Sequence, residues 1–414
     1  MLKKTLLLTS GLLIIFLSST LTRIDRTPYK ALDFYKKSIH EINQLLTKNP
    51  SRSIGDTLLI GFARANLTPS ESAPLAGYGN RRPKEMTSVH DSIYVNTTVI
   101  NNGKNKIAIV SADLLIIPPE VTALLKEKLF NTGWSLPEIF LSATHTHSSL
   151  GGWAPSLVGN MIAGTYNAKY PEFIANQIIA SIQMAEKRLN AGAWSFNELS
   201  IPSLINNRLV GTQGITDPSL KLMALKSGMQ EGVHVFYGAH ATCLSGENKQ
   251  MSRDYPGVFS DWVVNHTPLD FAVYSAGAVA SMGPETGPKQ GFDRAQFMGE
   301  EMAKQVALIQ QFGFPYENQL NLSFIRIPLF LRQPMVKISE NWALRPWIFK
   351  WAFGHSPLEI SMIQLNDLVM IGLPCDFSGE LAVELYAYAK SKNLNLIISS
   401  FNGGYAGYVP DDKW

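Results

Sequence analysis

Two distant stretches of this chain repeat one order of features: strand, acidic residue, helix, strand, glycine-rich loop. In the first, residues 106–110 form a strand and Asp113 lies just past it. Pro118-Pro119-Glu120 then opens a helix running to about residue 129, and a second strand, 139–141, feeds Thr144-His145-Thr146-His147. In the second, the strand 368–371 leads to Pro374-Cys375-Asp376-Phe377, and Ser378 stands where it can cap a helix over 379–390. The strand 396–398 then feeds Asn402-Gly403-Gly404-Tyr405-Ala406-Gly407-Tyr408. Each has the form of a βαβ unit, which presents ligand groups at the carboxyl ends of its strands. The pair predicts an α/β fold: mixed β-sheets flanked by helices, with two pseudo-equivalent βαβ units facing a shared site. Any α/β protein contains several such units, so the loops must carry the functional argument.

The first loop holds His145 and His147. At a strand end, residues two apart point to the same face, so both imidazoles can converge on one ion or one substrate atom. Neutral imidazole is the commonest side-chain ligand for zinc; two polar residues in a turn is the plainer alternative. Further along, residues 221–225 and 233–237 read as paired strands. The latter ends in Gly238-Ala239-His240, a third histidine in the same topological position. His234 lies inside that strand and reads as a packed or hydrogen-bonded histidine. His40 and His266 fall on polar or helical surface and His355 in an aromatic-rich loop. His90-Asp91 is either a supporting pair or a turn. A catalytic zinc takes three protein ligands and keeps one position open. The candidates at strand ends are His145, His147, His240, Asp376 and Tyr408.

The chain has 414 residues and a formal net charge of +3. Length permits one large domain or two medium ones. So small a charge, with no Lys/Arg cluster interleaved with aromatics, argues against nucleic acid as a partner. Residues 1–22 differ from the rest: Lys3 and Lys4 precede an apolar run over 6–21, the pattern of an export signal. The run is close to the roughly 20 residues of a membrane span, and no Ala-x-Ala site follows. It reads as a signal-anchor in preference to a cleaved signal peptide. The body is then exported, tethered if the segment stays and secreted if it is removed. Residues 23–54 read as a helical linker, with Leu32, Tyr35, Ile39, Ile42 and Leu46 at helical spacing. The body spans 55–414 and begins with a strand at 58–62. Cys243 and Cys375 are too few for a disulfide-built scaffold; a single bridge stays open.

The ordered motifs carry a specific resemblance. Ser142-Ala143-Thr144-His145-Thr146-His147-Ser148 with Gly151-Gly152 resembles the zinc-binding signature of the neutral, non-lysosomal ceramidases. In order around it stand Gly77-Tyr78-Gly79, Ser111-Ala112-Asp113, Asn207-Arg208, Thr216-Asp217, Gly238-Ala239-His240 followed by Asp254, Pro374-Cys375-Asp376-Phe377, and the segment from Asn402 to Tyr408. The match runs over roughly residues 57–414, the family's catalytic domain. The resemblance implies a zinc-dependent amide hydrolase, with His145, His240, Asp376 and Tyr408 on Zn2+. His147 would steady the oxyanion formed on the attacked carbonyl, and Arg208 would be a second cationic donor. Physical chemistry suits these roles: zinc activates water and polarises a carbonyl, and a neighbouring imidazole or guanidinium stabilises developing negative charge. Asp376 could also serve as general base.

Four departures from the family pattern stand out. Asp376 replaces glutamate, and Cys375 replaces glycine, reading as a buried inert thiol rather than a competing ligand. The family's Gly-Asp-Val-Ser-Pro element becomes Gly277-Ala278-Val279-Ala280-Ser281-Met282-Gly283-Pro284, which puts Ser281 one position out of register as a catalytic candidate. The family's later tyrosine and trailing β-domain do not follow Tyr408: either this branch lacks them or the chain is truncated. The implied substrate is ceramide or a related lipid amide. The segment Asn341-Trp342-Ala343-Leu344-Arg345-Pro346-Trp347-Ile348-Phe349-Lys350-Trp351-Ala352-Phe353 has the composition of an interfacial segment that meets a membrane surface, or of an aromatic lid or core helix. Two other readings remain: a hydrolase of the same fold acting on a non-lipid amide or ester, and a catalytically inactive, membrane-tethered binding protein. Oligomeric state leaves no mark in the sequence.

Overall fold

The computed structural model describes residues 18–48, 53–55, 57–82 and 84–411. The larger of two main sheets has eight strands: β1 (Leu59–Asn66), β2 (Tyr94–Asn101), β3 (Lys106–Ala112), β4 (Ile139–Ala143), β5 (Asn190–Ser200), β6 (Ser219–Ser227), β7 (Gln230–Tyr237) and β8 (Phe271–Ala276). Their spatial order is β8-β7-β6-β5-β1-β2-β3-β4. The pairs β3/β4 and β7/β8 are parallel and the other pairings antiparallel. The second sheet runs β9 (Asn321–Leu329), β10 (Leu358–Leu365), β11 (Leu368–Leu373), β12 (Asn395–Ser400), with the short strand Ser53–Ile54 outside β9. Here β11 and β12 are the parallel pair. Both expected βαβ units therefore exist, and each ends at a sheet edge.

The helices are α1 (Asp33–Lys48), α2 (Pro119–Lys128), α3 (Leu157–Ala163), α4 (Lys169–Lys187), α5 (Asp254–His266), α6 (Gly291–Gln311), α7 (Pro346–Phe353) and α8 (Gly379–Lys390). Period-2 alternation decides how they layer. In β3, Ile107 and Ile109 face the second sheet, while Ala108 and Val110 face α2 and α4. In β11, Leu368 and Met370 face the first sheet, while Val369 and Ile371 pack toward α8. A second outer core joins Val235 and Tyr237 of β7 to Phe259 of α5 and Met298 and Met302 of α6. The result is helices, sheet, sheet, helix. Each fully buried Leu, Ile or Phe contributes about 1.5–3 kcal/mol relative to exposure.

The eight-stranded sheet curls until its edges approach. The Ser142 and Ser275 hydroxyls, on edge strands β4 and β8, are 2.7 Å apart, and the Ser111 hydroxyl of β3 donates to the Tyr274 carbonyl of β8. His234 fits the reading of a packed residue: buried, its Nε2 lies 2.7 Å from the Ser275 hydroxyl. This curl brings the loop after β4 to the loop after β7.

The membrane anchor expected from residues 1–22, and the anchored location inferred from it, are not upheld. Among the described residues no helix is long and apolar enough to cross a membrane. Leu21 and Thr22 lie instead in the short strand Leu21–Arg23, which pairs antiparallel with Trp342–Leu344. Residues 1–17 of that reading lie outside the described residues. The amphipathic helix expected over about 29–46 is α1, shifted to Asp33–Lys48 because Pro28 leads into a 3-10 turn at Tyr29–Ala31 first. The aromatic segment forms the short strand Trp342–Leu344 and then α7, and no residue of α7 is buried: Trp351 is 67% exposed. It is therefore not a core helix. Cys243 and Cys375 are separate, buried thiols with no bridge between them.

Candidate functional site

His145 follows β4 by two residues. Its backbone adopts φ +63°, the left-handed region that a non-glycine residue enters at a cost of roughly 1–3 kcal/mol. Its amide is held by the Leu114 carbonyl, and its ring stacks on Phe401 at 4.1 Å between centroids. Phe401, just past β12, is also left-handed, at φ +67°. The two βαβ units thus end in matching strained residues whose rings lie face to face. His240 follows β7 by three residues, and its amide bonds the Met282 carbonyl.

Each of the three strand-end histidines gives Nδ1 to a backbone carbonyl: His145 to Leu115 at 2.6 Å, His147 to Gly77 at 3.1 Å, His240 to Val279 at 3.1 Å. A carbonyl can only accept, so Nδ1 carries the proton and Nε2 is left with a lone pair. The three Nε2 atoms converge. His145 Nε2 lies 2.8 Å from that of His240 and 3.2 Å from that of His147. Burial keeps all three rings neutral. It pulls His145 down to about 3, against the pull of the Leu115 hydrogen bond, and His147 and His240 fall well below the ordinary histidine value. Neighbouring imidazoles and Arg208 push those two in the same direction.

Asp376 enters from the second sheet, three residues past β11. The strand pair Asp376–Phe377 with Tyr408–Val409 fixes it, and its amide donates to the Gly407 carbonyl. Its Oδ2 accepts from the Tyr405 hydroxyl at 2.8 Å. Its Oδ1 lies 3.5 Å from His145 Nε2 and is buried with no hydrogen-bond donor. Burial raises Asp376 to about 7, although Tyr405 and Arg208 favour the carboxylate. Three imidazole lone pairs thus face one another, and an undonated carboxylate oxygen stands against that of His145. Acceptors facing acceptors repel, and a cation between them removes the conflict. The three histidines form a group able to hold a metal ion. Bonds of about 2.0–2.1 Å in a tetrahedral site set ligand atoms about 3.3 Å apart, within the spread of the distances seen here.

Tyr408 and Arg208 stand at the open side. Tyr408 is 52% exposed; its hydroxyl accepts from Arg208 Nη2 at 3.4 Å and interacts with Asp376. Arg208 is anchored through its amide to the Ser281 carbonyl and through Nε to the Ala280 carbonyl at 2.9 Å. Ser281 is buried, and its hydroxyl bonds the Glu380 carboxylate and the Gly379 amide rather than an imidazole. It holds Arg208 by its carbonyl. Cys375 is buried and pushed up to about 12 by that burial and by Asp376, so it is a thiol at neutral pH. His90 and Asp91 lie 2.9 Å apart, and Asp91 also receives Ser252 and Arg253.

Sequence reasoning left out Tyr405, Phe401 and the three carbonyls. The Tyr-x-x-Tyr spacing of Tyr405 and Tyr408 was a usable signal for the first; the others have none, because they act through backbone position. Tyr405→Phe removes the donor that orients Asp376. We expect metal affinity to fall about tenfold, the low end of the range for residues that support a ligand, measured by competition with a chromogenic chelator. An unchanged affinity rejects the role.

Residues 58–281 match the family model described as neutral/alkaline non-lysosomal ceramidase, N-terminal. Neutral ceramidase of Pseudomonas aeruginosa is 24% identical over 230 residues, covering 51% of this chain and 34% of that protein. The chain thus spans about a third of the length of the curated relative it matches. In fold, the crystal structure of neutral ceramidase from Pseudomonas aeruginosa superposes with a TM-score of 0.71 over 85% of this chain and 68% of that one, at 17% identity. A ceramidase complexed with C2 gives 0.73 over 86% and 70%, also at 17% identity. The family model covers more than half of the chain, and the chain belongs to the neutral/alkaline non-lysosomal ceramidase family.

Proposed function

We propose that this protein is a zinc-dependent amidase that hydrolyses the N-acyl amide of ceramide or a related lipid amide. The observation that carries the reading is the convergence of three Nε2 lone pairs, with the undonated Asp376 Oδ1 3.5 Å from that of His145. In this reading His145, His240, Asp376 and Tyr408 hold the zinc. When bound, zinc supplies a nucleophilic water at neutral pH and draws electrons from the amide carbonyl.

The chain's own residues supply the rest. His147 is the most exposed of the three histidines, at 9%, and is assigned to the substrate side. In this reading Asp376, raised to about 7 by burial, takes a proton from the attacking water, and His147 faces the carbonyl oxygen that gains negative charge. Arg208 adds a second positive donor at the mouth. Ser281 is not needed as a nucleophile, since its hydroxyl is committed to Glu380. The exposed Trp347, Trp351 and Phe353 of α7 supply the apolar surface that a lipid amide or a membrane surface requires.

Two measurements test the reading. The purified protein should carry close to one zinc per chain by elemental analysis. A short-chain fluorescent ceramide should be cleaved, with activity lost in chelator and restored by zinc. Full activity in chelator rejects the metal mechanism. Bound zinc with no cleavage of any acyl amide favours the inactive binding protein.

A further inference from the structure

Arg208 meets the site with the tip of its side chain: Nη2 reaches the Tyr408 hydroxyl at 3.4 Å, and its charge is felt by Asp376, His145, His147 and His240. So long and rotamer-rich a side chain keeps one position only if its base is fixed. Two segments fix it. In one, Asn207 Oδ1 accepts from the amides of Leu209 at 3.1 Å and Val210 at 3.2 Å, closing the turn in which Arg208 sits. In the other, the Ser281 carbonyl takes the Arg208 amide at 2.8 Å and the Ala280 carbonyl takes its Nε at 2.9 Å.

Both segments hang on one carboxylate that the mechanism above does not use. Glu380, in the first turn of α8, is buried, and its side-chain partners are neutral donors. Its Oε1 accepts from Asn207 Nδ2 at 2.5 Å. Its Oε2 accepts from the hydroxyls of Ser281 and Ser378, the latter at 2.5 Å. Ser378 occupies the N-cap position of α8 yet makes no side-chain cap bond; its hydroxyl goes to Glu380 instead. The Ser281 hydroxyl also accepts from the Gly379 amide at 3.1 Å, and the Ala280 amide donates to the Phe377 carbonyl at 2.9 Å. The same carboxylate is thereby joined to the strand that carries Asp376. Burial alone would raise the Glu380 carboxyl; the Ser281, Ser378 and Asn207 donors outweigh it and hold the group below the ordinary glutamate range. A buried carboxylate satisfied from three segments resists displacement, because the donors it holds are buried with it.

We infer that Glu380 is a positioning residue: by holding Asn207 and Ser281, which flank Arg208, it sets the guanidinium against Tyr408 while touching none of the histidines itself. The inference rests on the hydrolase reading for the task of Arg208 and goes beyond it in naming what fixes that arginine. A donor held in this way meets developing negative charge without reorganising at the moment of reaction.

Two variants test it. Glu380→Leu removes all three contacts at similar size. Glu380→Gln keeps an oxygen for Asn207, and its amide can donate to the two serine hydroxyls. With a short-chain fluorescent ceramide, E380L should lose about tenfold or more in kcat, since a misplacement of about 1 Å can cost up to 10²-fold, and E380Q should fall between it and wild type. Zinc should stay near one per chain in both. Arg208→Ala should cost about a hundredfold. Adding either Glu380 change to Arg208→Ala should alter kcat by no more than about twofold, because a positioning residue then has nothing left to position. If E380L fails to fold, the same cycle with E380Q decides. Wild-type kcat in the folded variants, loss of zinc, or a full further loss on top of Arg208→Ala overturns the inference. Crystal structures supply a readout that needs no activity: Arg208 Nη2 should stand about 1 Å or more further from the Tyr408 hydroxyl in the variant than in wild type. A displaced Arg208 in a protein whose wild type cleaves no acyl amide keeps the positioning and rejects the hydrolase reading. An unmoved Arg208 in an active enzyme does the reverse.

Discussion

His240→Ala should leave a folded protein that carries almost no zinc and has lost more than about a hundredfold in kcat/KM. Changing a residue that merely supports a ligand costs 10–100-fold, and His240 is placed to be a ligand itself. Its ring is fully buried, its Nδ1 is fixed by Val279 and its Nε2 lies 2.8 Å from that of His145. Folding should survive, because without metal the group is a set of mutually repelling lone pairs, and removing one relieves it. A thermal melt in chelator makes the distinction. Wild type should lose the stabilisation that a bound ligand confers, about 2.7 kcal/mol at a hundred times its dissociation constant; His240→Ala should melt at the same temperature with or without chelator. His147→Ala separates the two roles open to that ring. If His147 serves the substrate carbonyl, zinc stays near one per chain while kcat falls by about 10²–10³. If zinc is lost as in His240→Ala, His147 is a ligand and the donor role is wrong.

The pairing of strand ends with candidate ligand residues was legible because it is local. Ile139-Phe140-Leu141 before Thr144-His145, and residues 368–371 before Asp376, announce their own strands by composition. The helices between them begin at Pro119 and just after Ser378, as the sequence pattern predicts. What brings His145 to His240 is not local. It depends on the curl of an eight-stranded sheet and on Ser142 meeting Ser275 across its edges. Nothing in the spacing of those serines marks that contact. The left-handed backbone of His145 was equally hidden, since a histidine carries no signal for positive φ as a glycine does. The anchor reading failed for a related reason: its last two residues, Leu21 and Thr22, are taken up by strand pairing with Leu344 and Ala343, more than three hundred positions away.

Glycines around the site separate backbone that must stay bare from backbone that is merely glycine. Gly151→Ala should destabilise the protein by about 3 kcal/mol or more, the upper end of what overpacking costs. A Cβ there meets the Ala163 carbonyl oxygen at 2.1 Å and the Pro74 carbonyl oxygen at 3.0 Å, and both are backbone that no rotamer can clear. Those same carbonyls hold the loop: Pro74 accepts from the Gly151 amide and Ala163 from the Gly152 amide. Pushing them away releases the stretch that carries His145 and His147, so activity should fall with stability. Gly79→Ala is the internal control. It belongs to the neighbouring Gly77-Tyr78-Gly79 turn, yet nothing lies within 4 Å of its Cβ, and it should change stability by no more than about 0.5 kcal/mol. Gly77→Ala falls between as a probe of the site. Its φ of +121° and a Cβ 2.6 Å from the His147 Cα predict a shift of that ring and the loss of its Nδ1 bond to the Gly77 carbonyl. Thermal melts of the three variants should rank Gly79→Ala highest and Gly151→Ala lowest. A wild-type melting temperature for Gly151→Ala would mean that the loop does not pack on Ala163, and the placement of both histidines would have to be redrawn.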